Sequence, residues 1–156
     1  MPSLSKNSIG YSRKQGDPCE RQSSPSTANP LYVVDAHVLG AYFLDELPER
    51  TDRVFREAEL EKATLVVPSI VIAELIYAYE KAKLAARAWE MFDKLDTYPC
   101  FTIHPLDEPL LKIIPEIKLQ ELHDRIIVAT CICTKAKALL TKDQDIRSSK
   151  LVPTIY

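Results

Sequence analysis

Short apolar runs alternate along the chain with longer segments in which apolar residues recur at helical spacing. The apolar runs predict strands at Leu31–Val34, Thr64–Val67, Cys100–His104 and Ala138–Thr141, with Val152–Tyr156 as a last edge strand. Strands that alternate with helices form parallel sheets whose two faces are covered by those helices. The pattern therefore predicts an α/β fold with three layers, α/β/α, around a central parallel sheet of four to five strands.

Helical spacing follows almost every predicted strand. The predicted helices cover residues 36–47, 51–62, 70–83, 84–98, 106–114 and 122–133, and residues 143–148 are expected to form a turn or short helix. Thr51 and Asp124 are predicted to cap the second and sixth of these helices. The segments 70–83 and 122–133 are apolar nearly all round, so both helices are expected to be buried.

The first thirty residues differ in composition from the rest of the chain. They are rich in Ser, Lys, Gln, Asn and Pro and poor in aliphatic residues, so burial cannot offset the entropy of ordering them. We expect a disordered polar tail at 1–30 and one folded domain at 31–156, which suits a chain of 156 residues. A start codon assigned too early would explain the same abrupt boundary.

The composition excludes several kinds of site. Gly10, Gly16 and Gly40 are the only glycines, so a dinucleotide site or a P-loop, which needs clustered glycines, is not expected. The net charge of −2 gives no general attraction to nucleic acid, and a polyanion would have to be held by a local basic patch or by metal ions. The four cysteines lack a CxxC pair and are expected to be small buried hydrophobes rather than zinc ligands or disulfide partners.

The apolar runs are also too short for a membrane span. A transmembrane helix needs roughly 18 to 20 apolar residues, and the first thirty residues are too polar for a signal peptide. We therefore expect a cytoplasmic protein with no membrane partner.

Four acidic residues occupy positions where an α/β fold places functional side chains. Asp35 follows the first strand directly, and Asp143 follows the fourth by two residues. Glu74 lies inside an otherwise apolar helix, and Asp124 lies at the start of another. Because ligands bind outside the carboxyl ends of parallel strands, these acids are candidates for one common site.

Each acid also has a structural alternative. Asp35 and Asp124 could cap helices, and Asp124 could form an ion pair with Arg125. Glu74 could belong to a buried ion pair. Asp145 lies two residues beyond Asp143 and could take its place, so the fourth position stays open.

Four converging carboxylates would repel one another and raise one another's pKa, so such a cluster is stable only with bound cations. An all-oxygen ligand set suits Mg²⁺ or Mn²⁺. One or two such cations can activate a water and stabilise the leaving oxygen in phosphodiester cleavage. They would also reverse the local sign of the charge, so that a net-negative protein can act on a polyanion.

Four segments carry a resemblance to a known family. Val33–Leu39, Pro68–Leu75, Leu122–Thr130 and Leu139–Asp143 occur in this order, and together the stretch 31–156 resembles a PIN domain. Within that family it is similar to the VapC-type toxins of type II toxin–antitoxin pairs. The resemblance implies a Mg²⁺-dependent endoribonuclease (or one using Mn²⁺), a homodimer, and an antitoxin protein as partner.

The resemblance also implies roles for single residues. Asp35, Glu74 and Asp124 match the principal metal-binding acids of the family, and Asp143 matches the more variable fourth. Thr141 matches a hydroxyl position beside that fourth acid. These four acids are accordingly expected to be catalytic as well as metal-binding.

Other residues near the motifs have less defined expected roles. His123 and Arg125 flank the third acid and could contact substrate or support the metal ligands. His37 stands where many relatives have a small or hydroxyl residue. A set of basic residues around the third and fourth motifs could contact phosphate or be an ordinary solvated surface: Arg125, Lys135, Lys137, Lys142, Arg147 and Lys150.

Two competing functions follow from the same residues. A PIN-like module that binds RNA or protein without cutting would be expected to have lost at least one acid of the set. A phosphatase of the haloacid dehalogenase type would need a second acid two residues after Asp35, where this chain has His37. The leading prediction is therefore a metal-dependent ribonuclease.

Overall fold

A single parallel sheet forms the centre of the molecule. The computed structural model describes residues 28–156, so the predicted tail falls almost entirely outside the described residues. The strands are β1 (Leu31–Val34), β2 (Thr64–Pro68), β3 (Phe101–His104), β4 (Ala138–Leu140) and β5 (Thr154–Ile155). They lie in the order β3-β2-β1-β4-β5, and every neighbouring pair is parallel.

Within residues 28–156, seven α-helices flank this sheet. They are α1 (Ala36–Phe43), α2 (Glu49–Glu59), α3 (Ser69–Lys81), α4 (Ala86–Thr97), α5 (Glu108–Ile113), α6 (Leu122–Cys133) and α7 (Gln144–Ser149), and a 3₁₀ turn at Ile114–Glu116 follows α5. The predicted three-layer α/β/α architecture is confirmed.

The strand β1 occupies the middle of the sheet. β1 pairs with β2 on one side and with β4 on the other, and Val33 and Val34 are fully buried. A continuous apolar run suits this position because both faces of a parallel sheet are covered by helices. Asp35, which follows β1, therefore lies at the centre of the carboxyl edge of the sheet.

The predicted cap of the second helix is wrong. α2 begins at Glu49 and its N-cap position is Pro48, which has extended backbone angles. Thr51 lies within the first turn, fully buried, and its hydroxyl has no hydrogen-bond partner in the described part of the chain. The helix therefore begins without a side-chain cap, and the ring of Pro48 restricts its φ to a value that suits the extended N-cap conformation.

The predicted cap of α6 is also wrong. The helix begins at Leu122 as expected, but its N-cap residue is Glu121, and Asp124 lies within the first turn. The carboxylate of Asp124 is therefore not used to cap the helix.

The two helices predicted to be buried differ in their burial. Residues 126–131 of α6 are all buried. In α3 the buried residues are Val71, Ile72 and Leu75, whereas Tyr77 is 66% exposed. The prediction is confirmed for α6 and wrong for α3, because α3 covers the sheet with one face only.

Two further predictions concern composition. Cys100 and Cys131 are buried free thiols, as predicted, whereas Cys133 is disulfide-bonded, contrary to the prediction. Within residues 28–156, no helix has both the length and the apolar character that a membrane span requires.

Candidate metal-binding and active site

The topology brings the four predicted acids to the carboxyl edge of the sheet. Asp35 follows β1, and Asp143 follows the adjacent strand β4. Glu74 lies in α3, which begins directly after β2, and Asp124 lies in the first turn of α6, which packs against α3. The four acids therefore lie on the same edge of the sheet and are candidates for one site.

Asp35 is held by both of its carboxylate oxygens. Oδ1 accepts a hydrogen bond from the backbone N–H of Ala36 at 2.6 Å, and Oδ2 accepts one from the hydroxyl of Thr141 at 2.6 Å. Asp35 is 5% exposed. It therefore caps α1, as the structural alternative proposed, and also has a fixed orientation within the site.

Thr141 links the first acid to the fourth. Its hydroxyl donates to Asp35 and accepts a hydrogen bond from the backbone N–H of Asp143 at 3.0 Å. Thr141 itself is fully buried. The hydroxyl fixes the relative position of the two chain segments that follow β1 and β4.

Asp143 caps α7. Its Oδ1 accepts hydrogen bonds from the backbone N–H groups of Asp145 and Ile146, at 2.9 and 3.0 Å. Asp143 also raises the pKa of Asp124, whereas Asp145 is exposed. Of the two candidates for the fourth position, the structure therefore favours Asp143.

Glu74 is paired with a histidine from α6. Nδ1 of His123 lies 3.0 Å from Oε1 of Glu74, whose side chain is 29% exposed. Burial raises the pKa of Glu74 and the charge of Asp35 raises it further, whereas the nearby imidazoles of His123 and His37 lower it. The alternative of a buried pair with Lys or Arg is replaced by this contact with histidine.

The effect of the neighbouring acids is clearest in the pKa of Asp124. Its pKa is raised to about 6, first by burial and then by the charges of four neighbouring acids: Asp143, Glu121, Asp35 and Glu74. Glu121 is absent from the sequence-based set, although it raises the pKa of Glu74 as well. Its position three residues before Asp124, one helical turn away, is the signal that would have found it.

Most of the chain matches a known protein family. The family model of the PIN domain matches residues 32–150. This chain belongs to the PIN domain family. None of the curated proteins compared with it is a significant match.

Solved structures share the same PIN fold. VapBC2 from Rickettsia felis, bound to a DNA fragment from its promoter, aligns with a TM-score of 0.64 and 16% identity, covering 80% of this chain and 97% of that chain. FitAcB from Neisseria gonorrhoeae aligns with a TM-score of 0.61 and 21% identity, covering 80% and 96%. A toxin–antitoxin complex from Klebsiella pneumoniae gives 0.56 and 17%, covering 80% and 96%. At these identities the similarity establishes the fold.

The donor chemistry of the PIN site fits a hard divalent cation. The candidate ligands are all carboxylates, and the pKa of Asp124 is raised by burial and, in addition, by the negative charge of its neighbours. Within residues 28–156, however, no three His, Cys, Asp or Glu side chains form a ready-made metal group. The acids supply the charge and the oxygen donors, and they would have to move closer together to ligate a cation.

Arg125 does not face the acids. Its guanidinium donates to the backbone carbonyls of Leu119 and Gln120, in the loop before α6. It therefore supports the start of α6, and the ion pair with Asp124, which was one alternative for that acid, is not formed. Of the basic set, Lys142 lies next to the site, between Thr141 and Asp143, with an exposed side chain.

A cavity of about 430 Å³ lies elsewhere in the molecule. It is lined by residues of α1, α2 and the loop between them, including Tyr42, Asp45 and Glu59. Since α1 has eight residues, at a rise of about 1.5 Å each, the cavity lies about 12 Å from Asp35 at the other end of the helix. The acids line an open edge of the sheet and not this cavity.

Replacing Asp124 with asparagine should stabilise the metal-free protein at neutral pH. The folded state holds the proton of Asp124 more tightly than the unfolded chain, because the pKa rises from 3.8 to about 6. Stability is therefore lost as the pH rises from about 4 to above 6 in the wild type. We expect a gain for Asp124→Asn on the order of 1 kcal/mol, since partial exposure screens the repulsion, or about 2 to 4 °C in Tm.

Thermal melts in EDTA at pH 7.5 and near pH 4 would measure this gain. It should be largest at the higher pH and vanish at the lower one. Asp96→Asn, at an exposed position of α4, is the control for loss of one negative charge. Equal Tm values for wild type and Asp124→Asn at both pH values would contradict the expected repulsion.

Proposed function

We propose that this PIN domain is a metal-dependent endoribonuclease that cleaves RNA phosphodiester bonds as the toxin of a VapC-type toxin–antitoxin pair. The observation that supports the proposal is that the topology carries Asp35, Glu74, Asp124 and Asp143 to the carboxyl edge of one sheet, where burial and the charges of neighbouring acids raise the pKa of Asp124. Such a concentration of carboxylates is costly without a bound cation. Its presence is best explained by the binding of Mg²⁺ or Mn²⁺.

The residues of the site would have separate roles in binding the cation and the RNA. Asp35, Glu74, Asp124 and Asp143 would hold the cation, and Thr141 keeps Asp35 in one orientation. The chemistry supplied by a bound Mg²⁺ or Mn²⁺ is Lewis-acid assistance to phosphodiester hydrolysis. Lys142 is exposed beside the acids and is placed to contact a backbone phosphate.

Metal titration with an RNA substrate tests the proposal. We expect no cleavage of a single-stranded RNA by protein treated with EDTA and cleavage that rises as Mn²⁺ is added from micromolar to millimolar concentration. Cleavage that is independent of metal would exclude the proposed chemistry. Ca²⁺ at equal concentration is the control, since it takes the same oxygen ligands with a different geometry.

A specific observation favours a second candidate, a PIN-like module that binds RNA or protein without cutting. The described acids do not form a ready-made three-ligand group. Binding of RNA at millimolar Mn²⁺ with no cleavage, and with no change in Tm on adding Mn²⁺, would decide for this candidate.

The partners of the proposed toxin are an antitoxin protein, an RNA substrate in the cytoplasm and a second copy of the chain. The structure from Klebsiella pneumoniae is described as a toxin–antitoxin complex, which supports an antitoxin here. Tyr77 and Trp89 are 66% and 73% exposed, so these aromatic residues are available at the surface for a homodimer. Light scattering at micromolar concentration that shows only monomers would exclude the homodimer.

A further inference from the structure

His123 connects two of the acid-bearing helices. We propose that it positions Glu74 for cation binding, by holding one carboxylate oxygen so that the other is presented to the metal. This inference rests on the proposed function, because it assumes that the acids bind a divalent cation. It assigns to His123 a role in the protein's own architecture rather than a contact with RNA.

The contact itself is well defined. Nδ1 of His123 lies 3.0 Å from Oε1 of Glu74, which is a close ion-pair contact between the imidazole and the carboxylate. The imidazole contacts Oε1, so Oε2 is the oxygen that stays available for a cation. A glutamate has three rotatable side-chain bonds, and fixing one oxygen removes most of that freedom before a cation arrives.

The contact also fixes two helices against each other. His123 and Asp124 are neighbours in the first turn of α6, and Glu74 lies in the middle of α3. Holding Glu74 through His123 therefore sets its position relative to Asp124. Two of the four acids are linked in this way without a direct bond between them.

The other two acids are linked by the same kind of arrangement. Thr141, two residues before Asp143, donates to Asp35 at 2.6 Å. The two arrangements are alike. His123 directly precedes Asp124 and contacts Glu74, and Thr141 shortly precedes Asp143 and donates to Asp35. The recurrence indicates that His123 supports the ligands as Thr141 does.

Hydrogen-bonding partners of metal ligands typically affect metal affinity by about 10- to 100-fold. We expect His123→Ala to weaken Mn²⁺ binding by this factor, measured by calorimetry in the absence of RNA. His123→Asn should recover most of the loss, because an asparagine amide can donate from the position that Nδ1 occupies. Leu122→Ala, in the same turn and also exposed, is the control and should bind Mn²⁺ like the wild type.

The outcomes separate this inference from the proposed function. If the wild type itself binds no Mn²⁺ at millimolar concentration, the proposed function fails. If the wild type binds and His123→Ala binds equally well, the positioning role is excluded. If His123→Ala raises the KM for RNA with unchanged Mn²⁺ affinity, His123 contacts substrate instead, which also overturns the inference.

Folding is monitored by circular dichroism and thermal melts. Should His123→Ala not fold, His123→Asn carries the test. Affinity near that of the wild type supports the role of the donor, whereas loss of affinity by a folded His123→Asn overturns it.

Discussion

Substitution of Asp35 by asparagine should abolish metal-dependent RNA cleavage while leaving the fold intact. A bound cation would contribute several kcal/mol of transition-state stabilisation. Loss of Asp35, the most buried candidate ligand, should therefore lower kcat by roughly a thousandfold. The fold should survive because the new amide can keep both contacts. Its oxygen can accept from Ala36, and its nitrogen can donate to the hydroxyl of Thr141.

The measurement is single-turnover cleavage of RNA at saturating Mn²⁺, with a thermal melt of each protein. Asp45→Asn is a matched control, since it makes the same chemical change at the far end of α1. Asp45 has φ 56°, a conformation that asparagine adopts readily. Cleavage by Asp35→Asn at the wild-type rate would exclude the acid cluster as the active site.

The centre of the sheet was predictable because its middle strands are short apolar runs. Leu31–Val34 was predicted as the first strand and is β1 without change. An uninterrupted run of this kind fits a buried parallel strand and few other structures. The positions of Asp35 and Asp143 followed from the strand ends alone.

The helix starts were less predictable, for a physical reason. Thr51 and Asp124 have side chains that can cap a helix, but the caps are Pro48 and Glu121, neither of which uses a side-chain hydrogen bond. Capping is worth only about 1 kcal/mol, so packing of the helix against the sheet decides where it begins. For Asp124 the difference matters, because its carboxylate is thereby left for the site.

The contacts within the site could not be read from the sequence. The bond from Thr141 to Asp35 joins residues that lie 106 positions apart. The pair of His123 and Glu74 depends on how α6 packs against α3, which no local pattern specifies. The sequence identified the acids, and the structure shows which neighbours hold them.

Truncating the side chain of Leu139, a core residue of β4, should destabilise the fold and with it the site. Leu139 is fully buried, its strand pairs with β1 and β5, and two residues later the chain reaches Thr141. A leucine-to-alanine change in a core costs about 2 to 5 kcal/mol through lost burial and the cavity left behind. For a chain of this size we expect Leu139→Ala to lower Tm by about 10 °C.

Denaturant titration gives the free energy of unfolding directly. Leu60→Ala is the control, because Leu60 is 66% exposed and its truncation should cost less than about 1 kcal/mol. Equal losses for the two variants would contradict the position of β4 in the core. At temperatures well below its Tm, Leu139→Ala should still bind Mn²⁺, because the sheet edge that carries Asp35 and Thr141 is present whenever the chain is folded. A folded variant without Mn²⁺ affinity would show instead that the packing under β4 also sets the geometry of the acids.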